Sequence, residues 1–369
     1  MNRPGYGSRI GVPQTMRMSI VGLAFSGKTT FFELLTKHGF TGAMSGKKGG
    51  NIGTVFVPDE RLDHLTSVYE PKKQVNASLE FSDSQSLSTE GSGNSFSTAA
   101  LEMIRRADTL CLAIQTFDSM PHPMGSVDPA RDLEFINSEF ILNDLMALEK
   151  RSEKLRKVTQ ISKKQEDLLE LAAVDKACTA LEQSKALRDI ELTAQEAKAL
   201  SGYQLMSLKP MLVVLNVGED QVDKMDELMA AAARDYPTVQ FTAMCARLES
   251  ELADMEPEDA REFMTDLGIE EPAFSRIVQA CLDLVGLQVF FTVGADECRA
   301  WTIAKTATAF DAAGAIHSDI QRGFIRAMVL PYSAFAESPT EDTFKGSAAQ
   351  EKKDYTIQDG DIVEFKFSV

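Results

Sequence analysis

The stretch Gly22-Leu-Ala-Phe-Ser-Gly27-Lys28-Thr29 fits the pattern G-x-x-x-x-G-K-[ST], whose chemistry is the holding of phosphate. Glycines at 22 and 27 let the backbone wrap closely round an anion, with successive N–H groups and a helix N-terminus turned toward it. Lys28 is expected to neutralise β- and γ-phosphates, and the Thr29 hydroxyl to ligate Mg²⁺. Gly22, Phe25, Ser26, Gly27, Lys28, Thr29 and Thr30 form the expected phosphate-binding set. A second candidate is Asp83, at the end of the strand-like segment Leu79-Glu-Phe81. An aspartate there, downstream of a phosphate loop, is the expected partner of the magnesium. Lys28 and Asp83 are thus the expected catalytic pair, with Thr29 and Asp83 at the metal. A turn-forming aspartate is the plainer alternative for position 83.

These groups need a strand before the loop and a helix after it. Met18-Ser-Ile-Val21 has the composition of a short buried strand, and Thr30–Leu35 that of the first turns of a helix. Gly39–Gly53, rich in Gly, Ser and Lys, is expected to be a mobile loop, where the first nucleotide-sensing switch of such proteins lies. Thr54–Val57 is strand-like and Glu60–Tyr69 helical. Ser84–Ser97 is a second polar loop, followed by a helix at Thr98–Ala107 and an apolar strand at Thr109–Gln115. This alternation implies an α/β fold with a mostly parallel sheet and helices on both faces.

From Pro129 to Ser207 the pattern changes. Ile141, Leu145, Leu148 and Leu155, then Leu171, Val174, Cys178 and Leu181, recur at helical spacing. Thr193-Ala-Gln-Glu196 has the spacing of a capping box for a shorter helix. Two helices folded back as an antiparallel coiled-coil hairpin fit these runs, inserted into a sheet that resumes at Met211–Leu215 and Thr238–Ala243. Glu258–Leu267 and Phe274–Leu284 are helical. From Leu287 the chain turns strand-rich, a small α+β module.

Bulk properties narrow the function classes. The 369 residues suggest two or three domains, and 44% hydrophobic with 25% charged residues suits an ordinary globular protein. A net charge of −17 opposes a general basic clamp on nucleic acid, and no direct sequence-specific binding of that kind is expected. No apolar run approaches transmembrane length, so no membrane partner is expected. The five cysteines are scattered without metal-ligand spacing, which points to reduced thiols in a cytoplasm. Residues 1–16 are expected to be a flexible tail.

Several runs together carry a family resemblance. Leu287-Gln-Val-Phe-Phe-Thr-Val-Gly294, Arg299-Ala-Trp-Thr-Ile303, Ala313-Gly-Ala-Ile-His-Ser-Asp319, Gly323-Phe-Ile-Arg-Ala327 and Asp354-Tyr-Thr-Ile-Gln-Asp-Gly-Asp361 resemble the TGS domain of the YchF branch of Obg-like ATPases. Asn51-Ile-Gly53 with Pro58-Asp-Glu-Arg-Leu62 is similar to the pattern after that family's first switch. The resemblance implies a P-loop NTPase domain of doubly wound sheet (17–128 and 208–284), a helical insertion (129–207) and a ubiquitin-like TGS domain (285–369). It implies a cytoplasmic, ATP-binding, ribosome- or translation-associated regulator. It also assigns the base site. Asn216-Val-Gly-Glu219 stands where GTPases carry Asn-Lys-x-Asp, with Val217 beside the base and Cys245-Ala246 behind the purine. The longer Glu219 misplaces the fork that guanine requires, which favours ATP.

The departures from that family are local. Ala24, Phe25 and Ser26 fill the middle of the loop, Lys47 stands where a switch threonine belongs, and Ser86 replaces the glycine of the second switch in Asp83-Ser-Gln-Ser86. A lysine cannot ligate magnesium. Gln85 is a candidate for positioning water. The expectation is ATP and Mg²⁺ binding with weakened hydrolysis. The alternatives are a nucleotide-binding scaffold without meaningful turnover and a GTPase of the wider Obg class.

Overall fold

The structure, a computed structural model, describes residues 16–39, 51–83, 87, 96–162, 164–269 and 271–368. Twelve strands are present among them: β1 (Arg17–Val21), β2 (Asn51–Phe56), β3 (Gln74–Val75), β4 (Ser78–Asp83), β5 (Thr109–Gln115), β6 (Met211–Asn216), β7 (Gln240–Met244), β8 (Leu287–Thr292), β9 (Cys298–Ala304), β10 (Phe324–Pro331), β11 (Ala349–Glu351) and β12 (Asp361–Phe367). They form two sheets, ordered β2-β4-β1-β5-β6-β7 and β11-β10-β12-β8-β9-β3.

Strands β1, β5, β6 and β7 and most of β4 lie in a unit comprising Arg17–Gly53 and Glu80–Ala280. These strands run parallel, with Met18 opposite both Phe81 and Thr109, and Gln115 opposite Asn216. Strands β5 and β6 are buried at every position, which is why they appear in the sequence as continuous apolar runs rather than alternating ones. The chain winds from β1 to one side of the sheet and then, through β5, to the other. The loop after β1 therefore stands at the reversal of strand order, where α/β sheets bind ligands. This is a P-loop NTPase sheet. The expected loop at Gly39–Gly53 is shorter at its far end, because Asn51–Gly53 already belong to β2. Its remainder, with Lys47, and the second-switch residues Gln85 and Ser86 lie outside the described residues.

The helical insertion is built from Pro129–Ile161, capped by Asp128 with Pro at the first turn, and Gln165–Glu182. Leu148, Leu155, Val174 and Leu181 bury the seam between them. Arg151 pairs with Glu170 at 2.7 Å and Arg156 with Asp175 at 3.0 Å across it. The capping box at Thr193 and Glu196 opens the helix Ala194–Leu200. At the root of the hairpin, buried Lys209 donates from Nζ to the carbonyls of Arg105 and Ala107.

Burial lowers the Lys209 ammonium to about 8, against the opposing pull of Asp108 and Asp144. The folded state then sheds this proton before the unfolded state does. The burial penalty is complete below about pH 8 and is relieved as pH climbs toward the free-lysine value near 10.4. Urea unfolding of wild type against Lys209→Met is expected to show the wild type gaining up to ~3 kcal/mol relative to the variant across that window. A relative loss would mean that the charged form is the stabilising one.

The second unit contains Thr54–Leu79 and Cys281–Val369. It carries the ubiquitin-like α+β module, whose core includes Phe290, Ile303, Val329, Ile357 and Val363. The helix Ala309–Ile316, not evident in the sequence, is opened by a capping box at Thr308 and Asp311. The helix Glu60–Tyr69 packs within this unit. Its Arg61 contacts Asp59 at 2.8 Å and Asp359 at 2.7 Å, with the guanidinium 5.2 Å from the Phe291 ring centre. Strand β3 adds to β9, Gln74 opposite Cys298.

Candidate nucleotide-binding site

The loop after β1 turns tightly because two residues adopt left-handed backbone, Phe25 at φ 65° and Gly27 at φ 87°. Such turns align successive N–H groups into an anion-binding concavity. Gly27 is also required by space, since a Cβ there would stand 2.2 Å from Asn216 Nδ2. At Gly22 a Cβ would meet the Ala113 carbonyl at 2.5 Å and Ser26 Oγ at 2.7 Å. The helix Lys28–Gly39 begins directly after the loop. Lys28 is buried, with Nζ 3.0 Å from the Leu23 carbonyl, while Thr29 is exposed.

A cleft of about 1230 Å³ opens above this loop, at the carboxyl ends of β1, β5, β6 and β7. It brings together ten of the residues singled out from the sequence: Phe25, Gly27, Lys28, Thr29, Thr30, Asn216, Val217, Glu219, Cys245 and Ala246. Gly22 and Ser26 stand behind the lining and shape the turn. Asp83 occupies the end of β4 opposite Ile20 of β1, and its side chain lies outside what is described.

Asn216 joins the parts. Its Nδ2 donates to the Ser26 carbonyl at 3.1 Å, and its Oδ1 accepts from the Ala246 N–H at 3.1 Å. One buried carboxamide thereby ties the phosphate loop to the loop after β7. Val217 is fixed by its N–H to the Met244 carbonyl at 2.8 Å. Burial pushes the Cys245 thiol up, so it presents an uncharged wall. Glu219 is half exposed and engaged: its Oε1 lies 2.7 Å from Arg247 Nε.

Sequence reasoning missed one wall of the cleft, Phe117–Met120, together with Arg247 and Ser250. The only signal for the wall is its place directly after a buried parallel strand. For a magnesium ion the donors present are of the right chemistry. The Thr29 hydroxyl is a hard oxygen ligand open to the cleft, beside a loop of N–H groups and an ammonium suited to phosphate.

Comparison with known proteins shows the family. The family model YchF-GTPase_C, described as "Protein of unknown function (DUF933)", matches residues 287–368. The "Ribosome-binding ATPase YchF" of Haemophilus ducreyi is 37% identical over 367 residues, spanning 96% of this chain and 99% of the relative. The chain belongs to the YchF family. The YchF protein of the same description from Bacillus subtilis is 36% identical over 365 residues, covering 95% and 98% of the two chains. A solved YchF structure, described as "Structure of the Schizosaccharomyces pombe YchF GTPase", matches with a TM-score of 0.85 at 27% identity, over 96% of this chain and 98% of that one. The resemblance read from the TGS-like runs and from Asn51-Ile-Gly53 with Pro58-Asp-Glu-Arg-Leu62 is thereby confirmed at the level of family and fold.

Proposed function

We propose that this YchF-family chain binds ATP with Mg²⁺ in the cleft and acts as a slow regulatory ATPase. The observation that carries the reading is Asn216, which locks the phosphate loop and the loop after β7 into one continuous wall. In this reading the loop N–H groups and Lys28 hold the β- and γ-phosphates, and Phe25, Ser26, Gly27 and Thr30 shape and flank the cradle. Val217, Cys245 and Ala246 sandwich the purine. Thr29 and Asp83 hold the magnesium, which supplies charge neutralisation on the phosphates when bound.

Glu219 favours adenine for a physical reason. Guanine recognition needs two carboxylate oxygens to accept a fork of N–H groups. Glu219 is one methylene longer than the aspartate of the guanine-reading motif, and the contact of its Oε1 with Arg247 Nε at 2.7 Å draws the carboxylate toward Arg247 rather than squarely onto that fork. The solved neighbour described as a GTPase gives the competing reading its support.

Slow turnover is supported by Lys47 and Ser86, which replace the threonine and glycine that sense a γ-phosphate. The relatives' description as ribosome-binding supports a ribosomal partner and a cytoplasmic location. Among the described residues no helix is long and apolar enough to cross a membrane. The domain bounds expected from the sequence belong to the same proposal. Single-turnover hydrolysis should show slow, Mg²⁺-dependent release of phosphate that disappears in Lys28→Ala. A rate matching ordinary family members would refute weakened switching, and no Lys28-dependent release at all would leave a scaffold.

A further inference from the structure

Gln221 lines the cleft and has no part in the reading above. It sits in the short helical turn Glu219–Lys224, and its carboxamide reaches both back along the chain and across to another strand. Oε1 accepts from the Gly218 N–H at 3.0 Å and from the Thr116 hydroxyl at 2.9 Å. Nε2 donates to the Thr116 carbonyl at 3.0 Å. This orientation of the amide is forced, because a backbone N–H can only donate and a carbonyl can only accept.

These bonds continue a join that the sheet begins. The last paired residues of β5 and β6 are Gln115 and Asn216. One step further, the Thr116 N–H donates to the Asn216 carbonyl at 3.0 Å, while Val217 gives its own N–H to Met244 of β7. Past that point Gln221 takes over, as a side-chain bridge between the loop after β6 and the loop after β5. Gly218 lets the two loops come close, since a Cβ there would stand 3.3 Å from Phe117 Cβ. Capping the turn is the plainer role for Gln221, but a cap needs only the bond from the Gly218 N–H. The two bonds to Thr116 lie outside that role.

We propose that Gln221 is a positioning residue for base recognition: its bridge to Thr116 fixes the backbone that carries Val217 and Glu219 against the end of β5. The inference rests on the ATP-binding reading above and extends it by naming what holds the base-reading loop in register. Without the bridge, Glu219 is no longer presented at one fixed place, and adenine is distinguished less well from guanine. The phosphate loop lies on β1 and the helix after it and keeps its grip.

Two variants separate the bridge from the cap. Gln221→Met has a similar length and none of the three bonds. Gln221→Glu keeps both acceptor bonds, the cap included, but sets a second carboxylate oxygen against the Thr116 carbonyl. Fluorescent N-methylanthraniloyl ATP serves as the probe, displaced by ATP, GTP or inorganic triphosphate, each with Mg²⁺. Triphosphate reads the phosphate cradle alone. The added charge of glutamate acts alike on ATP and GTP, so their ratio reports the loop. In both variants the preference for ATP over GTP is expected to fall about fivefold. Displacement by triphosphate in Gln221→Met should stay within about twofold of wild type. A preference kept in Gln221→Glu and lost only in Gln221→Met would leave a cap and overturn the proposal. So would an unchanged preference in both variants, or a loss of triphosphate affinity in Gln221→Met equal to the loss for ATP. Should wild type not bind the probe, the ATP-binding reading fails instead, and that control tells the two failures apart.

Discussion

Lys28→Ala is expected to weaken ATP binding by about a hundredfold or more and to remove turnover, while the protein stays folded. The lysine is the one cation the phosphate loop itself supplies, and hydrogen bonds from a charged donor to phosphate contribute roughly 1.5–3 kcal/mol each. Two such bonds exceed a hundredfold in affinity. In the folded chain Lys28 Nζ contacts the Leu23 carbonyl, and alanine forfeits that contact at a cost near 1 kcal/mol. Calorimetric titration with ATP and Mg²⁺, paired with thermal unfolding in the absence of nucleotide, separates the two effects. Undiminished ATP affinity in a folded Lys28→Ala variant would remove the loop from the binding site altogether.

Gly27→Ala is expected to lose both stability and nucleotide. The left-handed backbone at φ 87° costs a side chain about 1–2 kcal/mol. The new Cβ also drives into Asn216 Nδ2, 2.2 Å away. Asn216 must then give up its bonds to the Ser26 carbonyl and the Ala246 N–H, worth roughly 0.5–1.5 kcal/mol apiece. The sum is on the order of 2–5 kcal/mol in urea unfolding. A double-mutant cycle identifies the source. In an Asn216→Ala background the clash is gone, and Gly27→Ala should cost only the backbone share of about 1–2 kcal/mol. Additive costs would show that the two residues do not meet as described.

What was legible in the sequence followed the physics of each part. The phosphate loop is a backbone device, so its glycines, Lys28 and Thr29 are written locally and can be read locally. Strands β5 and β6 are buried on both faces, and their continuous apolar runs announced a parallel sheet. The capping box at Thr193 and Glu196 is likewise a short-range rule. Other features depend on distant partners. The pairing of Gln74 with Cys298 is a two-residue strand contact across most of the chain, too short for any periodicity. The placement of Thr54–Leu79 with the C-terminal module was therefore invisible. The helix Met225–Ala233 turns Met225, Leu228, Met229 and Ala232 toward the core at helical spacing, but it is short and none of its residues is fully buried. At the cleft, the strand-end residues Asn216 and Cys245 were found through family resemblance. Phe117–Met120 were not, because an irregular wall has no pattern of its own. Likewise, Arg247 is a surface arginine in the sequence, and only folding brings it to Glu219.

The central claim is that this cleft holds ATP in preference to GTP, and competition measures it directly. With the fluorescent ATP probe bound to wild-type protein in Mg²⁺, unlabelled ATP should displace it at roughly tenfold lower concentration than GTP. Displacement by GTP at equal or lower concentration would contradict the account, and with it the role given to Glu219.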